Sequence, residues 1–245
     1  AVATSREFHL SGYDHPPMAW WLSSAMQQLF HSTSPWLIRL PFVLLSTLAT
    51  WQMFRLTRLL FGDAAGFYAA LAFTCAPVLG MTSGSWVLPD GPLLLALLSG
   101  AVVLARLCCE AKPKGQLWLW AGFWGGVALL SKYHGVFFFS GALLCVLSSK
   151  RQWHWLRSPW PYLGVMVGML VFSPVVIWNV QHDFASFAFQ SGRAGESHFY
   201  PLKPLQMLLG QALFLTPWIW LGLVVAAREA VAGGVAEGKR WLLLC

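Results

Sequence analysis

From residue 38 to residue 227 the sequence is a series of long apolar runs divided by short polar breaks. A bilayer core about 30 Å thick needs roughly 20 apolar residues per helix. The runs near 38–61, 64–82, 88–109, 116–131, 135–149, 159–181 and 204–227 meet or approach that length. Residues 116–149 in one helix would extend about 51 Å, too far for the core. The polar break Lys132-Tyr133-His134-Gly135 divides them, so the pattern predicts a tight hairpin. Residues 16–31 are apolar but too short to span comfortably. Pro16 and Pro17 suit a helix start, where a missing N–H costs nothing. Trp20, Trp21 and the Gln27-Gln28 pair then predict an amphipathic helix lying in the interface.

The expected fold class is therefore all-α: a polytopic transmembrane helical bundle of about seven spans plus an interfacial amphipathic helix. Residues 1–15 read as an outer loop and 16–34 as the interfacial helix. Residues 35–230 read as the transmembrane core, and 231–245 as an inner loop with the start of a further span. The chain opens without Met on a polar stretch and stops at Leu242-Leu243-Leu244-Cys245 as a new apolar run begins. Both ends read as cut from a longer protein.

Composition agrees with the pattern. Hydrophobic residues make up 57% and charged residues only 10%, against about 25% charged in soluble domains. A soluble protein of this length would need far more charge to cover its surface, so the surplus apolar surface faces lipid. The net charge of +7 does not point to nucleic acid, because the basic residues sit in short loops between apolar runs rather than in a stripe. Those loops orient the bundle. One side holds Arg55, Arg58, Arg106, Lys112, Lys114, Lys150, Arg151, Arg157, Arg228, Lys239 and Arg240, and the other holds Arg6, Arg39, Lys132, Arg193 and Lys203. The first side is cytoplasmic by the positive-inside rule.

On the outer side this places Asp14, Asp90 and Asp183, together with His9, His15, His31, His134, His182 and His198; only His154 falls inside. Ionisable groups at membrane depth are costly and usually functional. Lined up at one level, they read as a site at the outer leaflet. Loops collect polar residues anyway, which accounts for His9 and His198 but poorly for Asp90 and Lys132, each at the end of a span. The five cysteines form no CxxC pair, so neither a zinc site nor a disulfide framework is expected; small buried thiols are.

Four places carry candidate chemistry. In Gly12-Tyr13-Asp14-His15-Pro16-Pro17-Met18 two prolines fix the backbone behind a carboxylate and an imidazole. Such a pair binds a metal, or a phosphate through it, or moves a proton; a helix-capping Asp reads as well. In Trp86-Val87-Leu88-Pro89-Asp90-Gly91-Pro92, Asp90 either caps the third span or belongs to the site. In Leu130-Ser131-Lys132-Tyr133-His134-Gly135 the ammonium can pair with Asp90, hold a phosphate as a point charge, or snorkel to the headgroups. Trp178-Asn179-Val180-Gln181-His182-Asp183 leaves the sixth span ahead of the aromatic-rich stretch Phe184 to Phe189 and then Arg193. Aromatic faces with an Arg suit sugar rings and phosphate, and equally an interface belt.

Together and in order, the first of these motifs with its amphipathic helix, Arg39-Leu40-Pro41, Leu88-Pro89-Asp90-Gly91, Leu130-Ser131-Lys132-Tyr133 and Ile177-Trp178-Asn179-Val180-Gln181-His182-Asp183 resemble the bacterial GT-C membrane glycosyltransferases. The group is the family-39 and family-83 type, relatives of protein O-mannosyltransferases and of the lipid A aminoarabinose transferase. The resemblance implies an inverting glycosyltransferase of the bacterial cytoplasmic membrane with its site facing the exterior. It implies a polyprenyl-phosphate-linked sugar as donor, a lipid, glycan or protein as acceptor, and membrane lipids as neighbours; nucleic acid is not an expected partner. Asp14, Lys132 and Asp90 are the implied catalytic residues, and Tyr13, His15, His134, His182, Asp183 and Arg193 the implied substrate-binding ones. A divalent metal is the one cofactor expectation, held by Asp14 and His15. Relatives carry a first span and an acidic Asp-Glu motif that should precede residue 6, and Glu7 is the only acid ahead of Gly12. The stretch given is therefore expected to lack the base and to turn over poorly by itself. The rival reading is a transporter or flippase for a lipid-linked or small polar substrate. It fits less well, because no internal repeat is visible and the charges sit at one edge rather than at the midplane.

Overall fold

A computed structural model describes residues 9–195, 201–236 and 238–245. Among them all regular structure is helical. The order is α1 (Met18–Phe30), α2 (Pro35–Phe61), α3 (Asp63–Cys75), α4 (Pro77–Leu79) running into a π-helical turn Gly80–Ser85, then α5 (Asp90–Cys109), α6 (Leu117–Ser131), a 3-10 turn Tyr133–Gly135 and α7 (Val136–Ser148). A 3-10 run Lys150–Arg157 leads to α8 (Trp160–Gln181), α9 (Ala185–Gly195), α10 (Lys203–Phe214), α11 (Pro217–Gly233) and α12 (Gly238–Leu244). By length and composition α2, α5 and α8 can cross a membrane, α3 with Pro77–Ser85 forms a bent pair with the shape of a broken span or a re-entrant loop, and α6 and α7 are shorter apolar helices. Large apolar side chains such as Phe67, Met166, Leu170, Leu213 and Trp218 are mostly exposed, as a lipid-facing surface requires.

Two of the expected spans differ from straight helices, both at proline. The run 64–82 bends by 67° between Cys75 and Pro77, because proline removes a helical donor and its ring crowds the preceding turn. The run 204–227 is not one continuous helix: α10 stops at Phe214, and Thr216, with φ +70°, sits ahead of Pro217 at the head of α11. The residue before a proline is driven out of the helical region, which accounts for a break there. In α8 the interior Pro174 leaves the Leu170 carbonyl without its helical donor, and the Ser173 hydroxyl donates to it at 2.7 Å. That helix continues through its proline.

The hairpin expected over 116–149 is present. A Cβ on Gly135 would fall 2.4 Å from the Leu129 nitrogen, and the Phe139 ring folds back onto Gly125 of α6. α5 lies between two neighbours, touching α2 through Ala49 and Leu95 and α6 through Leu93, Ala96 and Ala128. The closest pairing is α6 with α8. Gly122 and Gly126 face Gly164 and Gly168 so tightly that a Cβ on Gly122 would sit 1.8 Å from the Gly164 carbonyl oxygen. Small residues four apart on both helices permit this backbone approach. The two helices run parallel, so the end of α6 and the end of α8 emerge together.

At the opposite end of the bundle Trp118 packs edge-on against Trp155, and Gln152 donates to the Cys108 carbonyl at 3.3 Å. Cys75 is exposed, while Cys108 and Cys145 bring their sulfurs to 3.4 Å. A small shift would bring such a pair to bonding distance. Copper-phenanthroline oxidation is therefore expected to join α5 to α7. With a protease site placed between residues 110 and 116, the two fragments should stay linked on a non-reducing gel, and Cys145→Ser should release them. Fragments that separate before reduction would contradict this arrangement of α5 and α7.

Candidate functional site

The polar groups converge where α5 begins and α6 ends. Pro89 occupies the N-cap of α5 and Asp90 is the first residue inside it. The Asp90 carboxylate turns sideways to Lys132, whose Nζ donates to Oδ1 at 3.1 Å. α6 ends at Ser131, and Lys132 leaves the helix in an extended conformation, aiming its side chain across to α5. Both side chains are about a quarter to a third exposed, 25% for Lys132 and 31% for Asp90. Of the alternatives open in the sequence, the cap at α5 is filled by Pro89 and Lys132 is engaged with Asp90.

The second element is the loop ahead of α1. Gly12 packs against the Trp20 ring so closely that a Cβ would lie 2.1 Å from it. This draws the chain across the head of its own helix. Trp21 donates through its indole to the His9 carbonyl at 2.8 Å, and Pro16 and Pro17 are buried. Pro17, not Asp14, is the N-cap of α1. Asp14 and His15 are left at the surface with Oδ2 and Nε2 3.3 Å apart. α1 lies against the same end of α6: Met18 and Trp21 join a cluster with Leu129, Leu130, Phe172, Val175, Tyr133 and Phe187.

The third element is the α8–α9 corner. Asn179 is fully buried; its amide donates to the Val175 carbonyl and its Oδ1 accepts from the Phe187 N–H at 3.2 Å. Asp183 and Phe184 turn the chain with φ of +51° and +56°. The Tyr133 and Ser186 hydroxyls lie 2.6 Å apart, Tyr13 meets Phe189 with ring centroids 4.7 Å apart, and Gln190 donates to the Asp14 carbonyl oxygen at 2.7 Å. Gln190 thus holds the main-chain carbonyl of Asp14 and not its carboxylate.

Of the site residues expected from sequence, Asp90 and Lys132 touch each other, as do Asp14 and His15, and Tyr13 packs at a tilt against Phe189 at the α9 edge. His182 is turned back on its own helix, stacked on Trp178 at 4.1 Å with Nδ1 2.8 Å from the Trp178 carbonyl. His134 is exposed beside Phe137, and Asp183 is exposed at the corner. The Arg193 side chain, Arg6, Glu7 and His198 lie outside the described residues. Asn179 stands uncharged within the Trp178–Asp183 motif, and Ser186 and Gln190 carry neither charge nor motif spacing, so only the fold reveals the part of all three. The groups fit a metal poorly: Asp14 and His15 offer two donors, and among the described residues no group of three His, Cys, Asp or Glu side chains could hold an ion. A separate cavity of about 370 Å³ between α6, α7 and α8 is lined by apolar groups including Gly122, Phe139, Leu143 and Val165, away from these charges.

The all-helical bundle, with the Asp90–Lys132 and Asp14–His15 pairs at one end, has the fold of a GT-C membrane protein. The chain belongs to the family described as dolichyl-phosphate-mannose-protein mannosyltransferase, whose model matches residues 14–178. That match begins at Asp14, includes Asp90 and Lys132, and ends before His182. Among solved structures the chain is similar to ArnT from Cupriavidus metallidurans in the apo state. The TM-score is 0.68 at 18% identity, over 94% of this chain and 43% of that one. The likeness is therefore one of fold, and this chain spans less than half of that protein's length. No curated protein sequence matches it.

Proposed function

We propose that this chain forms part of a GT-C glycosyltransferase that moves a sugar from a polyprenyl-phosphate-linked donor to an acceptor at the outer face of a bacterial cytoplasmic membrane. The observation that carries the reading is the Lys132–Asp90 pair at the same bundle end as the Asp14–His15 loop. In the transfer an acceptor oxygen bonds to the anomeric carbon from the face opposite the phosphate. The carbon–oxygen bond to phosphate breaks, the electron pair stays on the leaving polyprenyl phosphate, and the acceptor proton goes to a carboxylate base. Lys132 neutralises the charge growing on the phosphate, and Asp90 holds the ammonium in place. Asp14 fixes the His15 ring, which presents an N–H toward the donor phosphate. Tyr13, His134, His182, Asp183 and Arg193 border the sugar and acceptor space. α1 lies along the membrane interface beside this site.

Two measurements on a full-length protein carrying this chain test the reading. Single cysteines at 14, 90, 132 and 183, in a background lacking native thiols, should all react with an impermeant maleimide added from outside. Reaction of 14 and 132 from opposite faces would remove the shared outer site. Purified protein in vesicles should transfer radiolabelled sugar only when a polyprenyl-phosphate-linked donor is present. Movement of the donor across the bilayer without transfer would instead identify a flippase.

A further inference from the structure

Gln190 has no part in the chemistry proposed above, yet it makes a contact 176 positions away in sequence, to the backbone of Asp14. Ser186 and Gln190 are four apart in α9 and so share one helical face. Ser186 is fully buried against Tyr133, the residue after Lys132, while Gln190 reaches the loop that carries Asp14 and His15. The aromatic neighbours repeat the pattern: Phe187 lies against Tyr133, with ring centroids 5.7 Å apart, and Phe189 lies against Tyr13. One turn of helix, about 5.4 Å of rise, thus sets the spacing between the two halves of the site.

The seat of α9 is fixed at its start. The Asn179 side chain caps the Phe187 N–H, and the Phe184 N–H donates to the Asn179 carbonyl at 2.7 Å. Two successive residues with positive φ make the corner, a conformation that costs L-residues of this size and persists only where surrounding contacts enforce it. A helix held that firmly at one end can position whatever its next turn touches. On the far side of Asp14, Pro16 and Pro17 restrict the backbone. Asp14 is therefore clamped between a proline pair and the Gln190 amide.

We infer that α9 is a strut joining the two halves of the site, and that Gln190 is a positioning residue for Asp14, acting through its backbone carbonyl. This rests on the reading of Asp14 and His15 as the groups that orient donor phosphate. The contact uses a main-chain oxygen, so it survives replacement of the Asp14 side chain.

That property supplies the test. In a full-length protein lacking native thiols, Asp14→Cys is labelled with an impermeant maleimide, alone and combined with Gln190→Leu or Gln190→Glu. Neither replacement has an N–H donor, and they differ in charge, so a shared effect reports the lost donor. Labelling at position 14 should speed up severalfold in both, while a control cysteine at exposed Thr33, in the loop between α1 and α2, keeps its rate. In the protein with Asp14 intact, the same replacements should lower kcat for transfer by roughly tenfold or more, with donor KM raised less than about threefold, as expected for misplacement rather than lost binding. Unchanged labelling in both variants would overturn the strut. If the unsubstituted protein shows no donor-dependent transfer while labelling still responds, the transferase reading falls and the tie from Gln190 to Asp14 stands.

Discussion

Gly122→Val is expected to abolish recovery of folded, monodisperse protein, and Gly122→Ala to lower stability by about 1–3 kcal/mol. A Cβ at this position would sit 1.8 Å from the Gly164 carbonyl oxygen and 2.4 Å from its carbonyl carbon. Both atoms are backbone, so no side-chain rotation relieves the clash and the helices must part. Parting them loses the packing that drives helix association in lipid, where no hydrophobic force replaces it. The change would also displace Lys132 at the end of α6 from the α9 corner that follows α8. Thermal unfolding in detergent, followed by size-exclusion profile, measures the effect. Gly210→Ala is the control, since a Cβ there meets nothing within 4 Å. A Gly122→Val protein with the parent's transition temperature would mean that α6 and α8 do not pack as described.

The bundle was legible in the sequence because apolar run length is set by bilayer thickness, and the runs over α2, α5 and α8 carry that length without interruption. The two departures lie at Pro77 and Pro217. Both prolines are plain in the sequence, but a run-length reading does not separate a proline that kinks a span from one that ends it. Pro174 shows the difference: Ser173 supplies the missing hydrogen bond in α8, whereas Thr216 turns out of the helical region ahead of Pro217. The Gly122–Gly126 and Gly164–Gly168 spacings were also readable, but which helices they join depends on tertiary contact. At the site, charge at membrane depth singled out Asp90 and Lys132, because a lone ammonium or carboxylate there needs a partner. It gave no hint of Asn179, Ser186 or Gln190. Their work is done by neutral side chains bonded to main chain or to a hydroxyl, and such pairings follow from how α8 and α9 turn. His182 shows the converse, a residue that stood out in a motif and is bound to its own helix.

Lys132→Met should lower transfer by roughly 10²–10³ in kcat, with donor KM little changed and the yield of folded protein retained. In the proposed reaction the donor phosphate carries one negative charge as a diester and approaches two as its bond to the sugar breaks. An ammonium fixed beside it therefore gains more attraction in the transition state than in the bound ground state, and that difference appears in kcat. Fixing matters, because a floppy lysine would have to reorganise during the reaction. Asp90 supplies it through the 3.1 Å contact to Nζ. Asp90→Asn keeps the ammonium and loosens it, so a smaller loss of about tenfold is expected. The exchanged double variant, Asp90→Lys with Lys132→Asp, separates the pair's structural role from its chemical one. It restores an ion pair between α5 and the end of α6 and should fold, but it moves the positive charge to the wrong helix and should stay as inactive as Lys132→Met. Full turnover by Lys132→Met would remove the ammonium from the chemistry. Recovery of turnover in the exchanged variant would show that the pair serves only to join the helices.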